Sequence, residues 1–161
     1  SRILKKKTRK IEEITPEILA LLPQMETAME KNQGIGLAAP QIGVSKQIII
    51  VKGEKKNQAF LNPKIEQKNK KTEIEEEGCL SLPGLFLPIR RSLSISLSCY
   101  TKKGQSITIE ARGLAARIFQ HEIDHLQGKL IIDRITPLQR WKIRKELQEI
   151  VGQGKVQRQK A

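Results

Sequence analysis

Gly113-Leu114-Ala115-Ala116-Arg117-Ile118-Phe119-Gln120-His121-Glu122-Ile123-Asp124-His125-Leu126-Gln127-Gly128 carries the organising helix of this chain. Gly113 opens it and Gly128 ends it, as glycine does just past a helix C-terminus. Leu114, Ile118 and Leu126 recur at helical spacing and are expected to face the core. His121 and His125 are four residues apart, so they share one face. They are also the only histidines in the chain. Two imidazoles so placed can hold one divalent metal. Glu122 lies beside them but is turned about a third of a turn away, which suits proton handling better than ligation.

The segments before this helix read as strands. Ser92–Tyr100 alternates serine with Leu93, Ile95, Leu97 and Cys99, the pattern of a strand with one buried face. Lys102-Lys103-Gly104 turns it into a second strand, Ser106–Ala111. Gln47–Val51, Ala59–Ile65 and Thr72–Glu76 are further strand candidates. Thr15-Pro16-Glu17 starts a first helix. Its apolar stripe is Ile18, Leu21, Leu22, Met25 and Met29, with a kink or break at Pro23 and an end near Asn32. Ile135-Thr136-Pro137 starts a last helix to about Val151, followed by a frayed polar tail. Residues 1–14 carry six positive charges and read as a basic edge or extended arm. Strands with separate helices indicate an α+β fold rather than a parallel βαβ sheet. Mostly antiparallel strands should surround the central metal-binding helix, flanked by an N-terminal and a C-terminal helix.

Composition bounds the rest. A chain of 161 residues fits one core. Residues 1–137 are expected to form the catalytic domain, with 138–161 as a basic helical extension of it. Apolar content is 38% but aromatics only 3%, so the core should be aliphatic. No apolar run approaches the roughly 20 residues of a membrane span. The chain opens on Ser1, so its natural N-terminus is trimmed or missing in this reading. Two cysteines are too few for a disulfide scaffold and favour a reducing compartment. The net charge of +13 fits either a polyanionic partner or a solvated lysine surface. With so few aromatics, nucleic-acid binding would be directed at the backbone rather than the bases. DNA is not an expected partner, and a monomer is.

Two histidines need a third ligand, with one position left for water. Cys99 continues a strand's apolar face and reads as a small buried hydrophobe. Cys79 sits in Glu76-Glu77-Gly78-Cys79-Leu80-Ser81-Leu82-Pro83-Gly84, framed by glycine and proline, and is favoured. Its thiolate would suit zinc or ferrous iron. Upstream, Gly34-Ile35-Gly36-Leu37-Ala38-Ala39-Pro40-Gln41 allows close backbone approach. Gln41 is either a turn residue bonded to nearby backbone or an amide donor aimed at developing oxyanion charge.

Together these segments resemble the peptide deformylase family. Gly34–Gln41 matches its glycine-rich first motif, Glu77–Ser81 its Glu-Gly-Cys-Leu-Ser second, and His121–Gly128 its His-Glu-x-Asp-His-Leu-x-Gly third. The likeness covers most of residues 11–135. It implies a metal held by Cys79, His121 and His125, ferrous iron in the cell, with zinc or nickel able to take its place. It implies Glu122 as general acid and base, and Gln41 with the Leu80 N–H as oxyanion stabilisers. The Gly36 backbone would hold the substrate. The implied reaction is hydrolytic removal of the formyl group from the N-terminal methionine of nascent peptides, in a bacterial cytoplasm or an organelle.

Ile35, Leu114 and Ile118 are candidate walls of a methionine pocket, or ordinary core residues. The chain departs from the family at its short, lysine-rich start and at Pro88-Ile89-Arg90-Arg91, where a Pro-Arg pair is common. Arg91 is expected to pair with Asp124. The C-terminal helix is basic with an apolar stripe, which suits either ribosomal RNA phosphates or a solvated surface. Two other readings remain: a zinc peptidase, which also uses His-Glu-x-x-His, and a basic RNA-binding protein with a structural metal.

Overall fold

A run of three isoleucines, Ile48-Ile49-Ile50, sits at the centre of the architecture because both of its faces are buried. The computed structural model describes residues 2–79 and 82–160. Three α-helices are present among the described residues: α1 (Pro16–Lys31), α2 (Gly113–Leu126) and α3 (Pro137–Lys160). The strands are β1 (Gly36–Ala38), β2 (Ile48–Val51), β3 (Gln58–Lys68), β4 (Thr72–Cys79), β5 (Leu82–Ser92), β6 (Ser94–Tyr100) and β7 (Ser106–Arg112). They form an antiparallel five-stranded sheet in the order β1-β2-β3-β6-β7 and a separate antiparallel pair, β4-β5.

The β2 isoleucines explain how the layers stack. Ile49 packs with Phe60, Leu97, Phe119 and Ile123 against α2. Ile48 and Ile50 pack with Met25, Met29 and Leu37 against α1. A strand covered on both faces needs a continuous apolar run, not an alternating one. Each such side chain removed from water contributes roughly 1.5–3 kcal/mol. In β6 only one face is covered, so Ile95, Leu97 and Cys99 are buried while the serines between them are half-buried.

Thr15 caps α1, its hydroxyl accepting the Ile18 N–H at 3.3 Å. The helix then runs through Pro23 without a break. Pro23 and Leu19 both face solvent, so the Leu19 carbonyl that loses its partner can bond water.

Four expectations change. The expected strand from Ser92 begins instead at Ser94, because Ser92 ends β5 and Leu93 turns away to bond Lys71. The N-terminal arm is docked: Thr8 bonds the Leu126 carbonyl through its N–H at 2.9 Å and its hydroxyl at 2.8 Å. Asn62 holds both the N–H and the carbonyl of Ile11. Gly128, at φ 75°, lies against this segment, where a β-carbon would meet the Lys5 carbonyl oxygen at 2.7 Å. The last helix runs further than its expected end near Val151, since α3 continues past Gly152 and Gly154 to Lys160. Leu114 does not face the core; it is 63% exposed.

A third apolar cluster joins Leu87 and Ile89 of β5 to Ile131 and to Ile143 of α3, which seats the start of α3 behind the β4-β5 pair. No helix among the described residues is long and apolar enough to cross a membrane.

Candidate metal centre

The metal-binding face of α2 points away from the core that holds the helix in place. Phe119, Ile123 and Leu126 pack inward, which turns His121, Glu122 and His125 towards the end of β4. There Cys79 Sγ lies 3.2 Å from His125 Nε2. The candidate ligand atoms of Cys79, His121 and His125 all fall within 4.8 Å of one another. One thiolate and two imidazoles form a donor set suited to zinc or ferrous iron, and three protein ligands leave a position open.

Among the described residues, the buried side-chain atoms Glu122 Oε2 and His125 Nδ1 lack hydrogen-bond partners. Buried polar groups are nearly always satisfied, so a carboxylate oxygen left without one beside three converging ligands fits a centre that takes an ion and a water. The residues present therefore fit one divalent metal.

Burial pushes the Glu122 carboxyl up from its ordinary value, while the neighbouring imidazoles of His121 and His125 oppose the rise. A carboxyl shifted upward holds a proton more readily than an ordinary one, which suits a group that accepts and returns it.

Behind the ligands lies a buried charge network. Glu77 Oε1 accepts from His121 Nδ1 at 2.8 Å, leaving the other ring nitrogen to face the metal position. Arg91 grips both oxygens of Glu77 at 3.0 Å and also reaches Asp124. Arg117 donates to Glu77 Oε2. Arg134 holds Asp124 through two bonds. Burial alone would raise the Glu77 carboxyl, but hydrogen bonds from His121 and Arg91 outweigh it and hold it at about 2. Burial would likewise lower His121, yet Cys79 and Glu77 lift it to about 10. A metal taking this site displaces that proton.

The glycine-rich segment forms the opposite wall. A β-carbon on Gly36 would meet Glu122 Oε1 at 2.8 Å and Ile118 Cγ2 at 3.0 Å, so this backbone passes where only glycine fits. Gln41 makes the expected turn bond. Its Oε1 accepts the Ala38 N–H at 2.8 Å, a turn bond that directs Nε2 towards Cys79 Sγ at 3.8 Å.

A cavity of about 570 Å³ opens above the centre, lined by Ile35, Gly36, Gln41, Cys79, Ile118 and Glu122 among others. Leu114 also lines this cavity and is exposed rather than packed in the core. Leu80 lies outside the described residues.

Arg91–Asp124 pairing agrees with the expectation from sequence. The structural roles of Glu77 and Arg117, and the position of Phe86 at the cavity, were not anticipated. Glu77 carried a usable signal. It is two residues before Cys79 in a strand and so shares its face.

The likeness of this chain to known proteins spans most of its length. A family model described as polypeptide deformylase matches residues 1–141. The chain is similar to a peptide deformylase of Desulforudis audaxviator, 42% identical over 137 residues, covering 84% of this chain and 89% of that protein. It is 38% identical over 148 residues to a peptide deformylase of Thermotoga maritima, covering 92% and 90% respectively. Among solved structures, a peptide deformylase of Synechococcus elongatus in complex with actinonin superposes with a TM-score of 0.86 at 36% identity, covering 92% of this chain and 81% of that one. The Thermotoga maritima structure gives 0.82 at 38% identity, covering 85% and 93%.

Proposed function

The chain belongs to the polypeptide deformylase family, and we propose how its own residues carry that family's reaction. The reaction is hydrolysis of the formyl group from the N-terminus of new polypeptides, with release of formate. The enzyme is a metallohydrolase acting on a linear amide, and it uses a single metal ion.

We propose Cys79, His121 and His125 as the ligands and ferrous iron as the ion in the cell. When bound, the metal supplies positive charge that acidifies a water and polarises the formyl carbonyl. Glu122, buried with its Oε2 unpartnered, takes up the proton as the formyl carbon is attacked and returns it to the departing methionine nitrogen. Gln41 Nε2 and the Leu80 N–H donate to the formyl oxygen as it gains charge. The Gly36 backbone aligns the peptide, and Ile35, Leu114 and Ile118 enclose the methionine side chain.

The convergence of three ligand atoms within 4.8 Å beside the buried Glu122 carries this reading. The test is anaerobic assay of iron-loaded protein on a formyl-methionyl peptide beside its unformylated counterpart. Formate release from the first without cleavage of the second is expected. No formate release from protein with a full complement of iron overturns the reading.

We further propose that the protein is a cytoplasmic monomer and that α3 docks on ribosomal RNA. Support for the docking comes from Arg140, Lys142, Arg144 and Lys145 on one continuous helix, with only Glu146 and Glu149 as acidic residues over 138–161. Because Ile143 is buried beneath β5, replacing the exposed Lys142, Arg144 and Lys145 by glutamine tests this better than a truncation. Ribosome co-sedimentation should weaken and become less salt-dependent; undiminished binding defeats the docking.

A further inference from the structure

The metal ligands belong to two pieces of the fold that share no strand pairing. Cys79 ends β4, in the β4-β5 pair, and both histidines ride on α2. Side chains must therefore set the distance between them.

Arg117 bridges the two pieces. It sits on α2, one turn before His121, and is only 8% exposed. All of its hydrogen bonds cross to the other piece. Nη1 donates to Glu77 Oε2 and, at 2.9 Å, to the Ile89 carbonyl of β5; Nη2 donates at 2.8 Å to the Glu73 carbonyl of β4. A planar fork with several fixed donors can hold three acceptors at once, which an ammonium cannot do with the same geometry. Arg91 works in the reverse direction, from β5 to Asp124 on α2, but the bonds of its side chain go to Glu77 and Asp124 side chains rather than to the β4 backbone. Arg117 is thus the described side chain that pins both the carboxylate orienting His121 and the main chain of the strand leading to Cys79.

We propose that Arg117 is a positioning residue of the metal centre, setting the separation and orientation of Cys79 and His121 through Glu77 and the backbone of β4 and β5. The proposal rests on Cys79, His121 and His125 being the ligands. It does not depend on which substrate is turned over. Partners of this kind behind metal ligands typically change metal affinity about 10- to 100-fold when removed.

The experiment compares the full-length wild type with Arg117→Met and Arg117→Lys. Each is stripped of metal and titrated with cobalt(II) against a chelator, with visible and near-ultraviolet spectra recorded at saturation. Arg117→Met should lower cobalt affinity by about tenfold or more and alter the ligand-field and thiolate charge-transfer bands. Arg117→Lys should restore part of both. Glu75→Gln is the control, since Glu75 meets Arg117 only at 3.6 Å and is half exposed; it should behave as wild type.

Affinity within twofold of wild type overturns the proposal. So does a lowered affinity with an unchanged spectrum, which would mark a loss of general stability rather than of ligand geometry. Should Arg117→Met not fold, Arg117→Lys is read by the same criteria. Wild-type protein that binds cobalt but releases no formate overturns the deformylase reading and leaves this one standing.

Discussion

Gly36 and Glu122 are packed so closely that a methyl group on Gly36 would come within 2.8 Å of Glu122 Oε1. The same methyl would meet Ile118 at 3.0 Å, so it cannot lean away from the carboxylate without striking α2. Gly36→Ala should displace Glu122 while leaving all three ligands in place. A misplacement near 1 Å costs about 100-fold in rate. A loss of about that size in kcat/KM, at unchanged metal content, is expected; activity within threefold of wild type contradicts it.

Glu122→Gln keeps the shape of the side chain and removes its capacity to accept a proton. With the neighbouring ligands intact, metal content should hold at the wild-type level. Deformylation should fall by about 100- to 10,000-fold, mainly in kcat. Steady-state kinetics beside metal analysis checks both halves of the statement.

Asp124→Asn strands a buried charge. Asp124 is shared between Arg91, which is 5% exposed, and Arg134. Breaking one side of such a pair costs about 3–5 kcal/mol because the remaining charge stays buried. Chemical denaturation of the metal-free protein should show a loss in that range. A change below about 1 kcal/mol would mean that water reaches Arg91.

Cys99 is the thiol that should make stability fall at high pH. Burial pushes it up to about 11 from an ordinary value of 9.0. A raised value means that the folded state keeps its proton after the unfolded chain has lost it. The contribution is therefore complete below about pH 9 and declines as pH rises towards 11. Relative to Cys99→Ala, the wild type should lose at most roughly 2 kcal/mol across that window. Denaturation curves at pH 8 and pH 10.5 measure the difference. At pH 8, iodoacetamide should label Cys79 of metal-free protein well before Cys99, which is 2% exposed.

Short-range signals made α1, α2 and β6 legible from sequence, since each carries a cap or a clear period along one face. β5 was hidden by Pro83, Gly84 and Pro88, which read as breakers. It tolerates them because a two-stranded sheet leaves each strand one unpaired edge, where a proline without an N–H costs little. β1 is three residues long and exists because its backbone finds β2, a partner the local sequence does not announce.

The grouping of His121, Glu122 and His125 was readable because motif spacing reports one side of a helix. Arg117 was not. It looks like any arginine on an amphipathic helix, and its acceptors lie 28 to 44 positions away. Glu77 sits in a run of glutamates that resembles a solvated strand face; its place two residues before Cys79 is the one local hint, and burial is what separates it from its neighbours.

Cys79 and His125 are 46 positions apart in the chain. An ion gripping both would also fasten a long loop, in the manner of a covalent clasp. Loops of that length lose much conformational freedom when their ends are tied, and that restraint falls on the unfolded chain. The β4-β5 pair, which no strand joins to the main sheet, would then have its tip anchored by the same ion that serves the chemistry. Loss of that ion would leave the cysteine end of the hairpin held by the Glu77, Arg91 and Arg117 bonds, so metal loading would add to the rigidity of the cleft as well as to its reactivity.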